Sequence, residues 1–567
     1  MAVTLWSAWA VGLAAVWAPA AWLTAQEASA ESCVFEGTAR NSVTQLPLGK
    51  VSIQLIPANG SVGYSGSSKA DGSFRFAGVV AGDYGLQAQR AGYSAQWVLT
   101  DNSGHAISTL HLAPGQTVTG NHLWFMPESS ISGTVIGFDG EPLPSAAVTL
   151  IARKWRNGKR VYVGAGSATT GDTGEYHLSS LAPGRYFLYA GPPQEGPLAG
   201  SILEAPGKPE MRIAGRYYPN ASQLDGAAAI DLGPGDRVPA IDWKLPLAPV
   251  FHLTGSADPG PSENAGVALK PQYNGQMLDW AGEGAPIGKD GKFDIAGVTP
   301  GSYFLYSFDD SLHDRLVSAK LPVIVAAQNL AGVTAPKVAR FDLKGQVRAE
   351  GAAAPDKIPV QIFYEGSEAD EYTSFQRRAE PQPDGTFAIR DLTPDRYTIR
   401  IANLDTGKEG GFYLKSVRVD GVDAAGRGID LTGGPAENVE LILSDAVGSV
   451  TGTVRWPETK SNSETVPEPA AELTIVTIPE NVESKDTRPI AAYLDQDGHF
   501  RLSDLEPGTY RVFAVTNYDD GLWRNAEFQR RIAARGTPLE VAEKATARIT
   551  VPVLPAADVR QVEERIP

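Results

Sequence analysis

A chain of 567 residues is too long for one hydrophobic core, and its 60 glycines and 41 prolines argue against long helices, where each glycine costs about 1 and each proline about 3 kcal/mol. With 42% hydrophobic and 20% charged residues, the composition is globular and favours many short strands joined by turns. The formal net charge of −16 repels phosphate backbones and anionic lipid surfaces, so nucleic-acid binding and electrostatic membrane attachment are not expected.

The first element in chain order is the apolar run Leu5 to Leu23, with Pro19 near its end and the small-x-small stretch Ala28-Ser29-Ala30 after it. This is the pattern of a secretory signal cut after Ala30. No Lys or Arg precedes the run, so an uncleaved anchor is the alternative reading. Nineteen residues just reach across a bilayer, and no second spanning segment is expected downstream. Cys33, the one cysteine, excludes internal disulfides. The Ala30-Glu31-Ser32 before it lacks the leucine of a lipid-attachment box, and its shared parity with Phe35 reads as a first strand facing a core.

A thirteen-residue motif then occurs five times without a gap. The copies run Gly72 to Tyr84, Gly174 to Tyr186, Gly291 to Tyr303, Gly385 to Tyr397 and Gly498 to Tyr510. An aromatic always stands two residues after the glycine, an aliphatic or Phe at four, and Val or Leu at seven. Asp71-Gly72, Asp290-Gly291, Asp384-Gly385 and Asp497-Gly498 read as hairpin turns, with glycine at positive φ. In the second copy Asp172-Thr173-Gly174 reads as the same turn with one residue inserted. The residues at two and four share the inward face of a strand. Pro-Gly turns the chain next, and the Tyr opens another strand with its hydroxyl placed to bond back to upstream backbone, as in a tyrosine corner. Upstream of each copy lies a first strand alternating around a glycine, as in Ile131-Ser-Gly-Thr-Val135 and Val450-Thr-Gly-Thr-Val454.

Seven or so strands in each unit of about 105 residues is the arithmetic of a sandwich. The expected fold is therefore all-β, a tandem array of five Greek-key β-sandwich domains of prealbumin or immunoglobulin-like type. The expected boundaries are 1–30 signal peptide, 31–127, 128–248, 249–338, 339–445 and 446–555 for the five sandwiches, and 556–567 as a C-terminal tail.

The pattern Gly-x-aromatic-x-aliphatic followed by Leu-x-Pro-Gly-x-Tyr, clearest at Gly174 to Tyr186 and Gly498 to Tyr510, resembles the carboxypeptidase regulatory-like domain. That domain is a transthyretin-like sandwich related to Cna B-type and starch-binding-like carbohydrate-binding folds. The resemblance implies an accessory or envelope protein. It is nearly silent on ligand.

No chemistry is legible. The seven histidines form no His-x-x-Glu, His-Glu-x-x-His or His-x-His pair, and there is no Gly-x-Ser-x-Gly elbow, Walker loop or dinucleotide glycine pattern. No catalytic residue, metal or cofactor is expected. Some Cna B-type domains join a first-strand Lys to a last-strand Asn. Here strand parity puts Lys344 outside the core and Asn438 before the inward Val439, so no such bond is expected. Two acidic runs, Glu365 to Glu371 and Asp309 to Asp314, read as solvated loops.

Surface aromatics are the better clue. Asn157-Gly158 reads as a type I′ turn that leaves Trp155 on an outward face beside Arg153, Arg156, Lys159 and Arg160. Such a Trp suits stacking against a sugar face or capping a neighbouring domain. Tyr217 and Tyr218, Trp280 and Trp523 are further candidates. The sequence thus leads to an exported, non-enzymatic binding or scaffold protein, secreted, periplasmic or on the outer envelope, with a carbohydrate or envelope protein as partner and no membrane insertion beyond the signal segment. The alternative is an accessory or regulatory subunit of a separate hydrolase or peptidase.

Overall fold

The computed structural model describes residues 32–566 except 59–61, 101–105, 108–109, 194, 196–198, 205, 207, 259–263, 310–315, 340, 351–359, 367–376, 404–410, 425–427, 437, 457–472, 483–486, 495–497 and 517. The expected signal segment lies outside the described residues, as does most of each acidic run. Among the described residues no helix is long and apolar enough to cross a membrane.

Five separate apolar cores follow one another along the chain. Their buried residues run from Cys33 to Phe125, Ile131 to Leu245, Leu253 to Ala335, Leu343 to Leu443 and Val450 to Val551. The units around them, numbered 1 to 5 in chain order, share one plan. A first strand (Cys33–Asn41, Ser129–Ile136, Phe251–Ser256, Phe341–Glu350, Gly448–Arg455) pairs antiparallel with the motif strand that follows the turn glycine. On its other side it pairs parallel with a late strand of the same unit. A second set of strands, such as Tyr64–Ser67, Ser52–Pro57, Gly82–Gln89 and Leu110–Leu112 in unit 1, closes the sandwich.

The repeated residues explain this plan. The first-strand glycine of every unit sits opposite the motif aromatic: Gly37 and Phe74, Gly133 and Tyr176, Gly255 and Phe293, Gly345 and Phe387, Gly452 and Phe500. A β-carbon at Gly452 would lie 2.4 Å from the Phe500 ring and 2.7 Å from the Ile549 carbonyl oxygen. The ring and the parallel strand use the space that a side chain would need. The turn glycine, at positive φ, passes its carbonyl to the first strand, where the N–H of Ala39, Val135, Ala257, Val347 or Val454 donates to it. Each corner tyrosine then donates to the carbonyl four residues back: Tyr84 to Val80 (2.6 Å), Tyr186 to Ala182 (2.9 Å), Tyr303 to Thr299 (2.7 Å), Tyr397 to Thr393 (2.9 Å) and Tyr510 to Glu506.

Three expectations need correction. The turn at the motif glycine is not a hairpin tip. In units 1 to 4 the strands on either side of it belong to opposite sheets, so the turn carries the chain across the sandwich. The second copy has no inserted residue: Gly174 N–H donates to the Gly171 carbonyl as Gly72 does to Lys69, and Asp172 has only moved one place within the same turn. The segment expected as a tail folds instead into α3 (Ala556–Glu563), which packs against α2 (Ala526–Ile532) beside α1 (Asp520–Trp523). Asp519 and Asn525 cap α1 and α2 by accepting from Leu522 and Phe528 N–H groups. The three helices cover the outer face of a unit 5 sheet and bury Val476, Phe513, Trp523, Phe528, Val559 and Val562.

Candidate functional site

The long hairpin of unit 2, Ala146–Arg156 and Lys159–Thr169, carries the surface residues the sequence singles out. Its tip is the left-handed pair Asn157 (φ 47°) and Gly158 (φ 76°). Trp155 lies opposite Arg160 on the outward face, and the Arg160 guanidinium stands 4.8 Å over its ring. That face is not bare. The Trp155 indole N–H donates to Glu563 Oε1 of α3 at 2.8 Å, and its ring joins the apolar cluster beneath the unit 5 helices. Arg160 donates to the Glu563 carbonyl at 3.2 Å. The tip itself is fastened by Gly158 N–H to the Gly521 carbonyl (3.0 Å) and by Asn525 Nδ2 to the Gly158 carbonyl (2.7 Å). Unit 5 therefore docks on unit 2 across more than 350 residues of sequence. Arg153 and Lys159 remain exposed, and Arg156 is half-buried.

The same outward face meets unit 3. Ile151, Tyr217 and Leu224 are buried there, flanked by the half-buried Tyr162, Phe187 and Tyr189, and Tyr273 and Trp280 of unit 3 pack on them. The Trp280 indole donates to the Tyr217 hydroxyl at 3.1 Å. Gln276 uses its amide at both ends, accepting from Tyr162 N–H (2.9 Å) and donating to the Tyr162 carbonyl (2.6 Å), so it caps an edge strand much as a paired strand would. Burial pushes the Tyr217 hydroxyl up to about 12. Tyr218 turns instead toward the unit 2 core, edge-on to Trp243.

Ion pairs reinforce this second seam. Arg212 reaches Glu283 at 2.5 Å, and burial still raises the Glu283 carboxyl above its ordinary value, outweighing Arg212 and Lys270. His252 stands between Asp294 (2.7 Å) and Glu210 (3.1 Å). The hydrogen bond to Asp294 leads the causes that raise its value, with Glu210 adding to it.

The expectation of exposed aromatics fails at Trp523 and Tyr217, which are 1% and 5% exposed. Sequence parity read Trp155 correctly as outward, but it names no neighbour. One signal for a covered face in unit 5 was present: Leu473-Thr-Ile-Val-Thr-Ile478 and Val512-Phe-Ala-Val515 are apolar at both parities, as strands buried on two faces are. Among the described residues no group of three His, Cys, Asp or Glu side chains is arranged to hold a metal. Lys344 and Asn438 are exposed, and Asn438 donates to Asp420 at 3.0 Å.

No family model and no curated protein matches the chain. Among solved structures it is similar to the TIE protein of Bacillus anthracis, with 9% identity over 72% of this chain and 68% of that one and a TM-score of 0.16. It is also similar to a minor pilin of Streptococcus agalactiae, with 14% identity over 38% and 97% of the two chains and a TM-score of 0.20. The shaft pilin SpaA of Lactobacillus rhamnosus GG gives 12% identity over 39% and 97%, with a TM-score of 0.21. Nothing about function follows from similarity at that level.

Proposed function

We infer that the chain is an exported, non-enzymatic scaffold whose sandwich units are fastened to one another and hold an envelope ligand, a carbohydrate in the first instance, at a fixed position. One observation carries the scaffold part of this reading. The outward face of unit 2, with the aromatics best suited to stacking on a sugar, is spent on units 3 and 5. Side chains used this way fix the angles between units, which suits a spacer more than a chain of loosely tethered binding modules. Small-angle scattering of the full chain should give one compact profile that does not change between low and high salt. Surface labelling of intact cells with a membrane-impermeant reagent should reach it. A broad distribution of extended shapes, or a chain found only in the cytoplasm, would overturn the reading.

A further inference from the structure

Unit 4 contains a cleft of about 670 Å³, within the range of about 300–1,000 Å³ typical of small-ligand sites. It lies where the chain crosses from Arg377–Ala379, at the edge of one sheet, to Thr386–Leu392, at the edge of the other. Three cations line it, Lys344, Arg378 and Arg390, together with the amides of Gln361 and Gln382. Elsewhere in this unit, among the described residues, Arg348 is matched with Glu440 at 2.7 Å, Lys415 with Glu350 at 2.9 Å and Arg396 with Asp430 at 3.1 Å. Lys344, Arg378 and Arg390 have no ion-pair partner among the described residues, in a chain whose net charge is −16. Glu380 is the one carboxylate in the lining. Asp384 lies close by, but its Oδ1 is already occupied, accepting from Thr386 N–H (2.9 Å) and Thr386 Oγ1 (2.7 Å).

We propose that this cleft binds an anionic saccharide, its carboxylate or phosphate oxygens taken by Arg378, Arg390 and Lys344 and its hydroxyls by Gln361 and Gln382. Guanidinium groups match both anions through paired N–H donors. An acidic peptide adding as an extra strand is the weaker fit, because charged side chains along edge strands oppose strand pairing. The site adds to the scaffold reading and rests on it only for export, which brings the chain to such polymers.

Calorimetric titration of the full chain with tetragalacturonate, a phosphorylated mannotetraose, maltotetraose and an oligoglutamate peptide tests the site. One or both anionic saccharides should bind saturably and weaken with salt, and the stronger arm identifies the carboxylate or the phosphate source. Arg378→Ala with Arg390→Ala should weaken binding about tenfold or more, while Arg501→Ala on unit 5 should leave it unchanged. Lys344→Gln alone should act in the same direction and serves as the second variant if the double variant folds poorly. No saturable binding of either anionic saccharide, equal loss in Arg501→Ala, or tighter binding of oligoglutamate would overturn the proposal. A scattering profile that stayed compact under any of those results would remove this site and leave the scaffold standing.

Discussion

Replacing Trp155 by Ala should open the seam between units 2 and 5 while both units stay folded. The indole bond to Glu563 joins a neutral donor to a charged acceptor, worth about 1.5–3 kcal/mol when buried and toward the lower end at this half-buried position. The contact with Arg160 lies within the unit 2 hairpin and survives opening of the seam, whereas burying part of the ring against unit 5 adds about 1 kcal/mol. The total is about 2.5 kcal/mol, a factor of about seventy in the closure equilibrium. Trp155 takes no part in the unit 2 core, so the thermal stability of that unit should hardly move. The Gly158 amide reports the seam directly. It lies at a hairpin tip, and its hydrogen-bond acceptor is the Gly521 carbonyl of the other unit. Residue-resolved hydrogen exchange should show Gly158 protected in the wild type and losing about two powers of ten of protection in Trp155→Ala. An unprotected Gly158 in the wild type, or unchanged protection in the variant, would refute the reasoning.

The repeat and the unit 2–3 seam give four further expectations. Gly452→Ala forces a β-carbon against the Phe500 ring and the Ile549 carbonyl and should cost unit 5 about 1–3 kcal/mol in denaturant melting, part of it recovered by adding Phe500→Leu. Tyr397→Phe keeps the ring and removes the hydroxyl's bonds to Thr393, the donation to its carbonyl foremost, so a loss of about 0.5–1.5 kcal/mol is expected in the same assay. Arg212→Leu leaves Glu283 without its closest cation and should weaken the unit 2–3 contact by about 1.5–3 kcal/mol, read as earlier separation of those units in thermal scattering. His252 should titrate above the ordinary 6.5, because Asp294 and Glu210 favour its charged form. Its stabilising contribution is complete below the unfolded value near 6.5 and fades as pH rises through the folded value, and an NMR midpoint under 6.5 would contradict that.

The parts of this structure legible in sequence are those set by strand parity and turn chemistry. The inward Phe74 and Phe500, the corner tyrosines and the turn glycines are all local statements about which side of a strand a residue occupies. One local feature was still missed. In units 1, 2, 3 and 5 the residue six places after the turn glycine takes positive φ, at Gly78, Ser180, Gly297 and Asp504, beside a slip in register with the first strand. Gly, Ser and Asp recur there because these residues accept a left-handed backbone more readily than branched ones. Their polarity alone gave no sign of a bulge.

The seams were out of reach for a different reason. Parity places Trp155 outside, yet Glu563 lies 408 positions away, and no period relates the two. The neighbours of each unit are set by what interrupts the repeat. Unit 5 inserts α1 and α2 between Gly508–Thr516 and Thr537–Val541, and those helices, together with α3, form the surface that receives the unit 2 hairpin. Unit 3 extends Ala265–Tyr273 into a turn that carries Gln276 to the edge of that same hairpin. Five copies of one sandwich thus become distinguishable through segments the motif does not contain. In unit 4 the cleft is lined at Lys344, Arg378 and Arg390, where the other copies carry different side chains on the same framework. Shared positions build each core, and differing positions decide what each outer face meets.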